Sequence, residues 1–180
     1  TDNVVLYAQW SQNPTYSITY NKNKSEASGN MAQQFARDGL SNALPQNSFS
    51  TPGYAFTGWS TSSESSVEFT NGEYYLMGSS NVTLYAVWTI NPSYTITLDG
   101  DGASGTMSQL TIVDGLSSTL LDCAYVSNGY SFTGWATSEV GDVEYTNATS
   151  YLMGDTAVTL YAKWEPVVYQ IEYDLAGGVD

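Results

Sequence analysis

One alternating pattern occurs three times along the chain. Val82-Thr83-Leu84-Tyr85-Ala86-Val87-Trp88 returns as Val158-Thr159-Leu160-Tyr161-Ala162-Lys163-Trp164, and stands near the start as Val4-Val5-Leu6-Tyr7-Ala8-Gln9-Trp10. Val, Leu, Ala and Trp fall on one side in every copy, as a strand with one buried face requires. The other side ends in Gln9, Val87 or Lys163, a spread that only a solvent-facing side tolerates. A second alternating stretch, Tyr16-Ser17-Ile18-Thr19-Tyr20, recurs as Tyr94-Thr95-Ile96-Thr97-Leu98 and Tyr169-Gln170-Ile171-Glu172-Tyr173. It reads as an opening strand.

Between opening and closing strands the two full copies run in parallel. The offset between them is 78 residues at Tyr16 and Tyr94, and 76 from Met31 and Met107 onward. The difference lies in a Gly-, Asn- and Ser-rich stretch, where a hairpin tip tolerates length changes. A second strand is expected at 32–37 and 108–113. Leu110-Thr111-Ile112-Val113 reads well as strand, and Gln33-Gln34-Phe35-Ala36 is assigned the same way because the copies share a fold. Asp38-Gly39-Leu40 and Asp114-Gly115-Leu116 form turns, and 41–52 and 117–128 an irregular or extended crossover. Gly53-Tyr54-Ala55-Phe56-Thr57-Gly58-Trp59 and Gly129-Tyr130-Ser131-Phe132-Thr133-Gly134-Trp135 are strands, with a bulge or close backbone approach expected at Gly58 and Gly134. The segments 60–66 and 136–142 are polar loops. Val67-Glu68-Phe69 and Val143-Glu144-Tyr145 resume a strand. Tyr75-Leu76-Met77-Gly78 and Tyr151-Leu152-Met153-Gly154 fit either one helical turn or an extended passage.

The pattern predicts a mainly β chain with at most a short helical turn per module. Residues 1–10 are read as the last strand of a preceding repeat, 11–88 as module 1, 89–164 as module 2, and 165–180 as the first strand of a following repeat. Short Pro-containing linkers join them, and two tandem modules imply an elongated arrangement. The expected core is Trp10, Trp59, Trp88, Trp135, Trp164, Tyr54, Phe56, Tyr130, Phe132, Leu84 and Leu160. A module of this size buries only about 60% of its unfolded surface, so each is marginally stable alone.

Composition narrows the partners. Four Lys and Arg face 18 Asp and Glu, giving a net charge of −14. Nothing in that balance displaces phosphate counterions, which argues against nucleic acid, and it disfavours anionic membrane surfaces. No apolar run approaches the roughly 20 residues of a membrane helix, so no membrane insertion is expected. With one cysteine, Cys123, and no histidine, no disulfide framework can form within the chain.

A unit of about 76 residues that opens on Tyr-x-Ile, carries Gly-Tyr-x-Phe-x-Gly-Trp and closes on Val-Thr-Leu-Tyr-Ala-x-Trp resembles the Listeria–Bacteroides repeat, a family that includes the B-repeat of internalin B and occurs in long bacterial surface proteins. The resemblance implies a compact β-grasp-like module with first and last strands side by side. It also implies a tandem arrangement, an extracellular or cell-surface bacterial setting, and roles in adhesion or as a spacer. It brings no catalytic residues and no cofactor.

Candidate chemistry is sparse. Asp99-Gly100-Asp101-Gly102 looks like the start of a calcium loop, with Asp99 and Asp101 as ligands, but copy one has Asn21-Lys22-Asn23-Lys24 there and a hairpin tip accounts for both. Trp59 and Trp135 with neighbouring tyrosines have the chemistry to stack on sugars, yet their identical placement in strand patterns points to packing. Glu68 and Glu144 recur, but the only other recurring carboxylates, Asp38 and Asp114, sit in turns, so a paired-carboxylate hydrolase is not expected. Lys163 beside Trp164 has no lysine counterpart for an isopeptide bond, and Cys123 has no basic neighbour to activate it. Asn81-Val82-Thr83 and Asn147-Ala148-Thr149 fit the glycosylation pattern.

The sequence therefore reads as tandem structural repeats of a surface adhesin-like protein, without catalysis. Its partners are the neighbouring repeats. The alternative is that the modules themselves bind a host protein or glycan. Strands 3–10 and 169–175 are further expected to pair head to tail between molecules, because unpaired edges recruit strands.

Overall fold

The computed structural model describes residues 4–172. Every regular element among them is a strand, and the chain divides into two compact units at Asn91 and Pro92.

In the first unit, β1 (Thr15–Asn21), β2 (Gln34–Arg37), β4 (Tyr54–Ser60) and β6 (Val82–Ile90) form one sheet in the order β2-β1-β6-β4. The opening and closing strands lie side by side and parallel, with Ile18 opposite Val82 and Tyr20 opposite Leu84. The other pairs are antiparallel. A small second sheet, β3 (Ser41–Ala43) against β5 (Tyr74–Leu76), brings Leu44 and Met77 onto the inner face. The second unit repeats this with β7 (Ser93–Asp99), β8 (Leu110–Val113), β9 (Ser117–Thr119), β10 (Tyr130–Ala136), β11 (Ser150–Leu152) and β12 (Val158–Pro166), ordered β10-β12-β7-β8 with β11-β9 beside it.

Alternation places the core. Ile18, Tyr20, Ala36, Trp59, Leu84 and Ala86 form one buried cluster with Leu44, Phe49 and Met77. Ile96, Leu98, Ile112, Trp135, Leu160 and Ala162 form the other with Leu120 and Met153. Full burial of an aliphatic side chain such as Leu84 is worth about 1.5–3 kcal/mol. Phe56 and Phe132 bridge the two indoles of their unit edge-on, with ring centroids 4.9 and 5.7 Å apart in the first and 5.0 and 5.7 Å in the second.

The bulges fall where glycine precedes tryptophan. Register slips between Phe56 and Gly58 and between Phe132 and Gly134. A Cβ at Gly58 would strike Val67 and come within 2.5 Å of the Phe69 carbonyl oxygen, and one at Gly134 would strike Val143 and come within 2.6 Å of the Tyr145 oxygen. The backbone φ of +157° at both positions adds to the demand for glycine. The slip lets the Trp59 amide donate to the Phe69 carbonyl at 2.8 Å while the Glu68 and Phe69 amides both reach the Trp59 carbonyl.

Several expectations are corrected. Val67-Glu68-Phe69 and Val143-Glu144-Tyr145 are not strands: each makes a single bridge to the indole-bearing residue, whose carbonyl takes two successive amides, Glu68 and Phe69 or Glu144 and Tyr145. Of the two readings open for Tyr75-Leu76-Met77, the extended one holds, since Tyr74–Leu76 pairs with β3. Residues 4–10 form no strand and Trp10 is 92% exposed. In each unit a closing strand lies between an opening strand and the Gly-Trp strand, and no such neighbours flank 4–10 among the described residues. Residues 169–172 likewise carry no ladder, while 173–175 lie outside the described residues. Tyr130 is 49% exposed rather than core. Its counterpart Tyr54 is covered by Lys24, whose Nζ sits 3.7 Å from the ring centroid, and the second hairpin tip has Gly102 at that place.

Candidate functional site

At one end of the first sheet the hairpin tip after the opening strand meets the loop after the Gly-Trp strand, where the Asn23 side-chain amide donates to the Ser63 carbonyl. In the first unit the Asn21 carboxamide oxygen accepts from the Asn23 amide at 2.8 Å and holds Asn23 at a φ of +56°. In the second, the Asp99 carboxylate accepts from the Asp101 amide at 2.9 Å, with Asp101 at +52°. Asn and Asp are the residues that tolerate this left-handed turn, because their short side chains close it locally. Asp99 therefore spends an oxygen on its own turn. Among the described residues no group of three or more His, Cys, Asp or Glu side chains is placed to hold a metal ion.

The closing tryptophans fasten the tip. Trp88 Nε1 donates to the Lys22 carbonyl at 2.8 Å and Trp164 Nε1 to the Gly100 carbonyl at 3.1 Å. The mid-chain indoles differ: Trp59 and Trp135 are fully buried, and their Nε1 atoms have no hydrogen-bond partner among the described residues. Their faces are closed to a sugar by packing against Tyr20, Phe49 and Phe56, or Tyr125 and Phe132.

Glu68 and Glu144 clamp the neighbouring loops. The Glu68 carboxylate accepts from the Ser60 hydroxyl, the Thr61 hydroxyl and the Thr61 amide at 2.8–3.2 Å. Glu144 accepts from the Thr137 hydroxyl at 2.6 Å and the Thr137 amide at 2.9 Å. These threonine hydrogen bonds hold both carboxyls below the usual range, the hydroxyl contribution first. Each carboxylate is thus engaged by its own loop.

Asn71 and Asn147 act on the crossover. Their side-chain oxygens accept from the backbone amides of Asn47 at 2.8 Å and Cys123 at 3.0 Å. The thiol of Cys123 is half-buried, and that burial pushes its pKa up, away from the thiolate form that a nucleophile needs. Asn81 accepts from the Ser17 amide at 2.9 Å. The two glycosylation-pattern asparagines thus carry structural bonds in this fold.

A shallow cavity of about 230 Å³ opens in the first unit between the tip (Asn23, Lys24), the loop (Ser63–Ser65) and the end of β6 at Trp88. In the second unit the matching loop carries Val140, 95% exposed, between Glu139 and Asp142.

Sequence reasoning singled out Trp59, Trp88 and Glu68 but not the groups they hold, and missed the roles of Asn23, Asn71 and Asn147. The recurrence of Asn71 and Asn147 at the common offset was the available signal. Nothing in the pattern marked Asn23, whose counterpart is an aspartate.

The Listeria-Bacteroides repeat domain profile matches residues 16–87 and again 94–163, and the chain belongs to that family. A Gly-rich protein of Evansella cellulosilytica whose name places it at a membrane is 34% identical over 143 residues, 74% of this chain and 16% of that protein. Internalin H of Listeria monocytogenes is 34% identical over 116 residues, 62% of this chain and 19% of the relative. The chain thus spans less than a fifth of the length of these relatives. A solved pair of Streptococcal High Identity Repeats in Tandem (SHIRT) domains, 3–4, from a cell surface protein matches 84% of this chain and 98% of its own at 14% identity and a TM-score of 0.29. No helix among the described residues is long and apolar enough to cross a membrane.

Proposed function

We propose that these modules are non-catalytic structural repeats of a bacterial cell-surface or secreted adhesin-like protein, acting as spacers along a longer chain. One observation carries the reading. Three pairs of polar side chains that recur in both units, Glu68 and Glu144, Asn71 and Asn147, and the Trp88 and Trp164 N–H groups, are spent on holding their own loops. A unit that consumes its recurring chemistry internally is built to be copied rather than to act on a substrate. Membership of the repeat family and the membrane-named relative support the surface setting. The β-grasp assignment is part of the same proposal. It rests on the mixed sheet with parallel first and last strands at its centre, while the helix of that fold is replaced by the crossover strands.

The test is replacement. In a parent protein, exchanging residues 11–166 for two unrelated β modules of similar length should leave distal binding unchanged. A loss of function that is restored only by the native modules would overturn the spacer role.

The second reading, that the modules bind a host protein or glycan, is favoured by the exposed Val140 in its acidic loop and by the cavity beside Ser63–Ser65. Cell-binding and glycan-array measurements on residues 11–166 separate the two readings. Saturable binding abolished by changing 60–66 or 136–142 would support this one, and silence in both assays the spacer.

A further inference from the structure

The chain contains two Asn-Gly pairs, Asn71-Gly72 and Asn128-Gly129, and both sit at the centre of the same kind of turn. The Glu73 amide donates to the Thr70 carbonyl at 3.2 Å with Gly72 at a φ of +78°, and the Tyr130 amide donates to the Ser127 carbonyl at 3.1 Å with Gly129 at +79°. Glycine in the third place with positive φ is the type II arrangement. Turn geometry is therefore matched, and the surroundings are not.

Asn71 is restrained. Its side-chain oxygen is held by the Asn47 amide, and a Cβ at Gly72 would come within 2.5 Å of Gln46 Nε2, so this turn is packed on the crossover. Asn128 is exposed, no hydrogen bond among the described residues holds its amide, and a Cβ at Gly129 would meet nothing within 4 Å. The equivalent turns elsewhere lack one ingredient. Pro52 precedes Gly53 in the first unit, and Ala148 follows Asn147 in the second.

We infer that Asn128-Gly129 is a self-modification site at which the chain deamidates through its own backbone. The Gly129 amide nitrogen attacks the Asn128 side-chain carbonyl carbon. The new C–N bond closes a five-membered succinimide, the bond to Nδ2 breaks, and ammonia leaves carrying the Gly129 proton. Water then opens the ring at either carbonyl. One opening leaves an aspartyl side chain on the normal backbone, and the other an isoaspartyl link that routes the chain through the former side chain. No oxidant or cofactor enters. Glycine suits the attacking position because no side chain shields its nitrogen, and a free amide samples the attack geometry that a held one does not.

The consequence is local. The Gly129 carbonyl accepts from the Val167 amide at 2.8 Å, and Tyr130 pairs with Pro166, so this turn anchors the outer end of β10 and β12. Each conversion adds one negative charge, and the isoaspartyl form adds a backbone carbon beside that anchor.

The experiment incubates the intact 180-residue chain at mildly alkaline pH. Peptide mapping and isoaspartyl methyltransferase labelling then follow both pairs, with a parallel sample in concentrated urea. Folded, Asn128 should convert about tenfold faster than Asn71, the factor set by one hydrogen bond that must break before attack. In urea the two rates should converge. Asn128→Gln should remove the isoaspartyl signal from that peptide while leaving the slow conversion at Asn71. Equal folded rates, a faster Asn71, or a difference that survives in urea would each overturn the inference, the last by placing the cause in neighbouring sequence rather than in structure.

Discussion

Lys163 donates its ammonium to the backbone carbonyl of Glu139, and one repeat earlier the equivalent carbonyl, that of Ser63, is taken by the side-chain amide of Asn23 at 2.9 Å. The loop after the Gly-Trp strand is tied down in both units, but the donor comes from different elements. Asn23 corresponds to Asp101, which has no side-chain N–H to give. Lys163 corresponds to Val87, which has none either. The exchange at the hairpin tip and the exchange on the closing strand are thus two halves of one compensation.

Asn23→Asp should therefore destabilise the first unit by about 1–2 kcal/mol, because two donations are lost, to Ser63 and to Ala86, and a carboxylate is left facing two carbonyls. Adding Val87→Lys should recover about half or more of that loss. Hydrogen exchange at the Trp59 amide reads the first unit separately from the second. A double variant no more stable than Asn23→Asp alone would show that the two positions do not compensate.

Trp135→Ala should cost about 3–5 kcal/mol and unfold only the second unit. The indole packs against Phe132 and Tyr125, and its cluster draws every member from residues after Pro92. Thermal unfolding followed by exchange at the Trp59 amide should leave that amide protected while the second unit is lost. Simultaneous loss of both would contradict independent cores.

The architecture could be read from the chain because its strands alternate and the chain repeats. Ile18, Leu84 and Trp59 occupy matched places in two copies, and only burial keeps such bulky residues fixed while their neighbours vary. The pattern failed where an outcome hangs on one contact. Tyr54 and Tyr130 hold the same place in matched Gly-Tyr-x-Phe motifs, yet Lys24 covers the first and Gly102 leaves the second open. It failed again at Val67-Glu68-Phe69, which alternates like a strand but makes one bridge only, to Trp59. Trp10 shows a third limit. Its sequence is that of a closing strand, and burial of such a strand depends on neighbours that the sequence of the strand does not supply.

Ala148 holds a left-handed backbone, φ +56°, at the place where the first unit has Gly72 at +78°. A side chain in that region costs about 1–2 kcal/mol. Ala148→Gly should raise the stability of the second unit by about 1 kcal/mol, less some unfolded-state entropy. The reverse change, Gly72→Ala, should cost more than this gain, since the added Cβ also meets Gln46 at 2.5 Å. Urea midpoints of the two variants check the pair, and a neutral or unfavourable Ala148→Gly would mean the turn relaxes without strain.

The carboxylates that clamp loops set the response to acid. The Thr61 hydroxyl and amide and the Ser60 hydroxyl hold Glu68 below its ordinary value of 4.5, the Thr70 amide and hydroxyl do the same for Glu73, and the Thr137 hydroxyl and amide for Glu144. A carboxyl whose folded pKa lies below its unfolded one contributes stability above the unfolded value and loses it as pH falls through the folded value. Both units should therefore hold their stability from neutral pH down to about 4.5 and weaken below it. Each carboxylate is exposed, so each contribution is small and their loss gradual. Glu68→Gln should flatten the acid limb of the first unit and Glu144→Gln that of the second, each leaving the other unit's profile unchanged. Exchange at the Trp59 and Trp135 amides across the acid range separates the two. An acid limb in Glu68→Gln as steep as in the native chain would mean that other carboxyls, not this loop clamp, govern the response.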